Sequence, residues 1–163
     1  MTPAAFAQLM RRHNRRLFRT ARAILRDDAA AEDALQEAWL HAYRAMDTFR
    51  GEAKLSTWLV RIVANEALAR RRKEQRHPRL LAQQAEPATR RQDEPEGMAE
   101  RGELRHRLEA KIGALPEAFR AVFMLRAVQE LSVEETAAAL HIPEATVRTR
   151  FFRARGQLRE ALS

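Results

Sequence analysis

Apolar residues recur at intervals of three and four along most of the chain, the period of a helix that buries one face. Phe6, Leu9, Met10, His13, Leu17, Ala21, Ile24 and Leu25 form one such stripe, which stops near Asp27 and Asp28. A second helix begins about Ala29 and carries Ala31, Ala34, Leu35, Ala38, Trp39, Ala42 and Tyr43 on one side, with Asp33, Gln36, Glu37 and Leu40 on another. After a loop over residues 47–55, Ser56 or Thr57 is placed to cap a third helix running to about Lys73. Its packing face is Trp58, Leu59, Ile62, Val63 and Ala67. Leu104, Leu108, Ile112 and Leu115 predict another helix, which Pro116 interrupts, and Phe119, Val122, Phe123 and Leu125 continue its core. No sustained alternation of β-branched residues competes with these patterns, so the expected fold class is all-α.

From about Glu74 to Glu103 the periodicity dissolves into Gln, Pro, Arg and Glu, the composition of a flexible linker. The pattern therefore predicts two small helical domains, residues 1–73 and 104–163, joined by residues 74–103. A chain of 163 residues with 45% hydrophobic content is long enough for two such cores. Charge sharpens this division. The net formal charge is +8, and residues 1–73 hold 15 basic and 8 acidic side chains, the linker 5 and 7, and residues 104–163 hold 10 and 7. The positive field thus sits on the two folded parts and points to a polyanionic partner.

Other chemistries find little support. The absence of cysteine excludes disulfides, thiolate catalysis and sulfur-ligated zinc, and the five histidines (13, 41, 77, 106 and 141) are too scattered to form a metal cluster. No cofactor is expected. The close acidic pairs, Asp27-Asp28 and Glu32-Asp33, fall at a helix start, where the helix dipole accounts for them without catalysis. An enzymatic role is not expected. No apolar run approaches a membrane span and the N-terminal segment lacks a signal peptide's apolar centre, so the expected location is cytoplasmic, without stable membrane insertion.

The last thirty residues carry the most specific pattern. Ser132 with Glu135 three residues later is a capping box, opening a helix from Val133 to Leu140. His141-Ile142-Pro143 is a short turn. A final helix then turns Val147, Phe151 and Leu158 inward and Thr146, Arg148, Thr149, Phe152 and Arg153 outward, although Phe152 also fits a core position. Two helices joined by a three-residue turn, the second rich in arginine, match a DNA-reading helix-turn-helix. The arginine fork binds guanine O6 and N7 in a bidentate manner, or a phosphate at the groove edge.

Ala31-Glu32-Asp33-Ala34-Leu35-Gln36-Glu37-Ala38-Trp39, Phe49-Arg50-Gly51, Ser56-Thr57-Trp58-Leu59 and Ile62-Val63-Ala64-Asn65 resemble the second conserved region of the extracytoplasmic-function (group IV) sigma factors, within the sigma-70 family. Leu115-Pro116-Glu117-Ala118-Phe119-Arg120, Glu134-Glu135-Thr136-Ala137 and Ala145-Thr146-Val147-Arg148-Thr149-Arg150 resemble the fourth region of that family. The resemblance implies a sigma factor that binds core RNA polymerase and directs promoter-specific initiation. It implies that Asp33, Gln36 and Glu37, with Leu40 beside them, dock on the clamp coiled coil of the largest polymerase subunit. The loop and third helix would melt and read the −10 element, with Lys54, Ser56, Thr57, Arg61 and Asn65 as candidates for the base-capturing surface and Arg70, Arg71 and Arg72 for backbone contacts. The C-terminal domain would read the −35 element while resting on the polymerase flap, the linker would run near the RNA exit path, and an anti-sigma partner is implied.

Two features depart from the wider family: no further helical region separates the two modules, and the loop before Trp58 is of a variable type. The rival reading is a freestanding helix-turn-helix regulator whose first domain oligomerises or senses. It would bind a palindromic site alone, as a dimer. The strongly basic first half and the lack of a heptad seam favour the sigma factor.

Overall fold

The computed structural model describes residues 2–52, 54–76 and 99–162, and among these every regular element is helical. Thr2 caps the first helix, α1 (Pro3–Leu25), accepting from Ala5 N at 3.2 Å, and Pro3 sits in the first turn, where a missing N–H costs nothing. Arg26 ends it in a left-handed conformation. Asp27 caps α2 (Asp28–Ala45) with a 2.8 Å bond from Ala30 N, and Asp28 holds Arg22 at 2.8 Å. The acidic pair is therefore a capping device, as its position at a helix start suggested.

The third helix, α3 (Leu55–Arg76), begins one residue before the expected caps and runs three residues past Lys73. Ser56 and Thr57 lie inside its first turn instead of capping it, because Lys54 already supplies the first carbonyl, to Trp58 N at 3.0 Å. Its buried face is Thr57, Leu59, Val60, Val63, Ala64 and Ala67, while Trp58 and Ile62 are half-buried. The expected face was right in phase but too wide on one edge. The three helices pack mutually. Trp39 lies across α1, donating Nε1–H to Asn14 Oδ1 at 2.9 Å, and Phe6 meets the rings of Trp39 and Tyr43 edge-on at 5.6 and 5.0 Å.

Residues 77–98, most of the expected linker, lie outside the described residues. The chain continues as α4 (Ala99–Gly113), α5 (Glu117–Phe123), a single π-turn over Met124–Val128, α6 (Val133–Leu140) and α7 (Glu144–Leu162). Leu104 and Leu108 keep helical spacing but are exposed, Leu104 at 61%, so they are not core as their spacing suggested. Only the C-terminal end of this segment packs: Ile112 and Leu115 join Phe119, Phe123, Ala154 and Leu158 against α7. The rest of the second module's buried set, including Val122, Leu125, Leu131, Ala139 and Val147, belongs to the same apolar cluster as the first three helices.

The capping box forms as expected: Ser132 Oγ accepts from Glu135 N at 3.0 Å and Glu135 Oε1 accepts from Ser132 N at 2.8 Å. Ser132→Ala is expected to destabilise the protein by about 1 kcal/mol, read as a lower urea midpoint at unchanged slope. An unchanged midpoint would show that the cap is dispensable.

Candidate nucleic-acid interface

The turn between α6 and α7 is set by His141, which ends α6 in the left-handed region at φ 57°, while Ile142 N returns to Ala137 O at 3.1 Å. This angles α7 away from the module. Val147, Phe151, Ala154 and Leu158 face inward at intervals of three and four. Phe151 is clamped by the Arg126 and Arg155 guanidinium groups at 5.1 and 5.6 Å from its ring centre. Arg126 also donates to Leu131 O, joining the π-turn to the start of the helix-turn-helix.

The outer face of α7 presents Arg148, Thr149, Phe152 and Arg153 to solvent, with Thr146 half-buried at its edge. Phe152 is 80% exposed, so of its two possible positions it takes the outer one. Thr146, Thr149, Arg150 and Arg153 line a shallow depression with Phe119 and Ala145. Arg148 lies 3.6 Å from Glu144, both well exposed. Such a pair contributes little and releases the guanidinium at small cost. A flat run of cations beside one solvent-facing aromatic is suited to base edges, phosphates and a thymine methyl.

The first module presents two different surfaces. On α2, Asp33, Gln36, Glu37 and Leu40 are all exposed on one side, backed by buried Ala34, Leu35, Ala38 and Trp39. On α3, Arg61, Asn65 and Arg72 are exposed at spacings of four and seven, and Lys54 precedes the helix. The remaining candidates do not join that stripe freely. Thr57 is 7% exposed and packs inward, Ser56 is half-buried, Arg70 turns toward Glu66 at 3.8 Å, and Arg71 is ion-paired with Glu117. Phe49 packs on Trp58 with ring centres 5.2 Å apart, which ties the loop after α2 to the start of α3.

Sequence reading missed several polar residues that the fold employs. Arg120, 2% exposed, donates to Ala23 O of α1 and to Leu115 O at 3.0 Å. Its burial, with Arg26 adding to it, pulls its pKa down to about 10, which leaves it charged at neutral pH. Gln129, also buried, binds Arg16. Both interrupt apolar runs at buried phase, and a charge or amide at such a position was the available signal.

These features define a class: an all-α DNA-binding protein with a capped helix-turn-helix, coupled to a three-helix module bearing an acidic outer face. Sigma-70 region 2 matches residues 9–77 and Sigma-70 region 4 matches residues 105–158. The ECF RNA polymerase sigma factor SigM of Mycobacterium tuberculosis is 38% identical over 158 residues, covering 97% of this chain and 77% of that one. Among solved structures, the sigma factor RpoE in complex with the anti-sigma factor NepR, from Bartonella quintana, superposes with a TM-score of 0.73 at 23% identity, covering 97% of this chain and 96% of that one. It shows the fold alone. CnrH in complex with the cytosolic domain of CnrY gives a TM-score of 0.62 at 29% identity, covering 99% and 89%. The chain belongs to the ECF sigma factors of the sigma-70 family.

Proposed function

We propose that this protein binds core RNA polymerase and directs it to promoters, reading a −35 element through α7 and a −10 element through α3 and the loop before it. The observation that carries this is the coexistence, in family order, of two surfaces of opposite character: the exposed arginine-rich face of α7 and the exposed acidic face of α2. The first suits DNA. The second, with Leu40 at its end, suits a basic protein partner, the polymerase clamp.

At the −10 element, unstacking a base costs a few kcal/mol that contacts to the extruded strand must offset. Lys54, Arg61 and Arg72 supply exposed cations for that strand, and Asn65 supplies an amide for a base edge. Residues 1–76 would form the polymerase and −10 module, and residues 99–162 the −35 module that rests on the flap. This work is recognition and requires no bond chemistry by the protein itself. No described helix is long and apolar enough to cross a membrane, and the proposed site of action is the cytoplasm, where polymerase and DNA are. The solved neighbours RpoE and CnrH each carry a partner, and an anti-sigma protein is proposed for this chain too. A pull-down from native cells is expected to recover it.

The test is core dependence. Sheared genomic DNA is presented to the protein alone and with core polymerase, and the retained fragments are sequenced. Discrete fragments retained only with core are the expected result. Palindromic fragments held by the protein alone would make it a freestanding regulator.

A further inference from the structure

The two modules share a seam whose polar contacts are as specific as its apolar ones. Arg16 Nη2 donates to Gln129 O at 2.7 Å, Arg16 Nε donates to Gln129 Oε1, and Gln129 Nε2 returns a bond to Arg16 O at 3.0 Å. Arg120 reaches Ala23 O at the end of α1. Glu117 pairs with Arg71, and His141 Nε2 donates to Asn65 Oδ1 at 2.7 Å. Between these points α6 lies against α3, and α5 against α1.

Two residues assigned above to single-stranded promoter DNA, Asn65 and Arg71, are thus occupied by the protein's own second module. The acidic face of α2 and the outer face of α7 are not: Asp33, Gln36, Glu37, Leu40, Arg148, Phe152 and Arg153 all stay exposed. We infer that in the free protein the second module is seated on the DNA-reading side of α3, withholding Asn65 and Arg71 from DNA, and that docking on core polymerase opens this seam. The inference rests on the sigma-factor reading. It adds an order of events: polymerase first, through surfaces the closed form leaves available, and −10 capture afterwards.

The seam is suited to opening. Each hydrogen bond lost is replaced by one to water, so its net contribution is modest, and part of the apolar contact is made by small residues such as Ala121, Ala137 and Ala139. A partner that binds only the open form need supply only the difference between the two states.

The chain has no cysteine, so Gln8→Cys and Gln157→Cys, both at exposed positions, admit a spin label on each module without background. Pulsed electron resonance is expected to give one narrow distance for the free full-length chain. Adding Gln129→Ala, which removes the amide without changing charge, is expected to broaden and lengthen it. Glu117→Gln, at a half-buried position, serves as a second, milder opening variant. Core polymerase is expected to lengthen the distance in the unaltered seam. Fluorescein-labelled oligo-dT of about 12 nucleotides is expected to bind Gln129→Ala roughly threefold or more tighter than the parent, as for a fractionally competent state released from closure. A broad distance in the free chain overturns the inference. So does an opened variant with unchanged oligo-dT affinity, or a distance that stays short in a polymerase complex active in transcription. Core polymerase that neither binds the protein nor yields new transcripts overturns the sigma reading and the polymerase step together, while the free-chain distance still decides whether the seam is closed.

Discussion

Asp33→Arg is expected to weaken binding to core RNA polymerase by at least about a hundredfold. Asp33 stands with Gln36, Glu37 and Leu40 on the exposed side of α2, while the other side is fixed in the core by Ala34, Leu35, Ala38 and Trp39. The face is therefore rigid and acidic, and reversing one charge replaces attraction by repulsion against a basic partner. Truncating one member of an interfacial charge pair costs about 2–5 kcal/mol, and reversal costs no less. The same substitution on an exposed helical position leaves stability within about 0.5 kcal/mol. Anisotropy of the labelled protein titrated with core polymerase, beside a urea melt, separates the two effects. Undiminished core affinity in a folded variant would move the docking face off α2.

The second large effect is expected at Arg153. This residue lies on the outer face of α7, and together with Thr149 it lines the shallow depression beside Phe119. If its fork reads a guanine, Arg153→Ala loses about 1–3 kcal/mol of promoter affinity in the holoenzyme and relaxes selection at one position of the upstream element. Core binding stays intact. A phosphate contact would instead weaken all promoters alike and lower the salt slope by about one. Promoter-library selection with parent and variant holoenzyme distinguishes them, and equal loss of core binding would make Arg153 a structural residue.

Much of this was legible in the sequence because helices record their buried face locally. The stripe from Phe6 to Leu25 and the box at Ser132 and Glu135 needed no knowledge of distant residues. What periodicity does not record is whether anything covers a face. Leu104 and Leu108 have the right spacing, yet α4 packs only near Ile112, and its earlier turns stay exposed. Caps are similarly conditional: Ser56 and Thr57 are good capping residues, but α3 begins ahead of them.

The largest gap concerns contacts between modules. Asn65, Arg70, Arg71 and Arg72 read alike in sequence as polar candidates for DNA. The fold separates them, giving Asn65 to His141, Arg70 to Glu66 and Arg71 to Glu117, and leaving Arg72 exposed. These assignments depend on partners up to 76 positions away, beyond the reach of any local pattern. Resemblance carried further than periodicity here, since it placed both modules in one family, but it did not show which residues the two modules use against each other.

The central claim is tested most directly by transcription from sheared genomic DNA with purified core polymerase, with and without this protein, mapping transcript 5′ ends. The account predicts new, discrete start sites that appear only with the protein and share two upstream elements at fixed spacing. Start sites unchanged by the protein, while it alone retains specific duplex DNA, would contradict it.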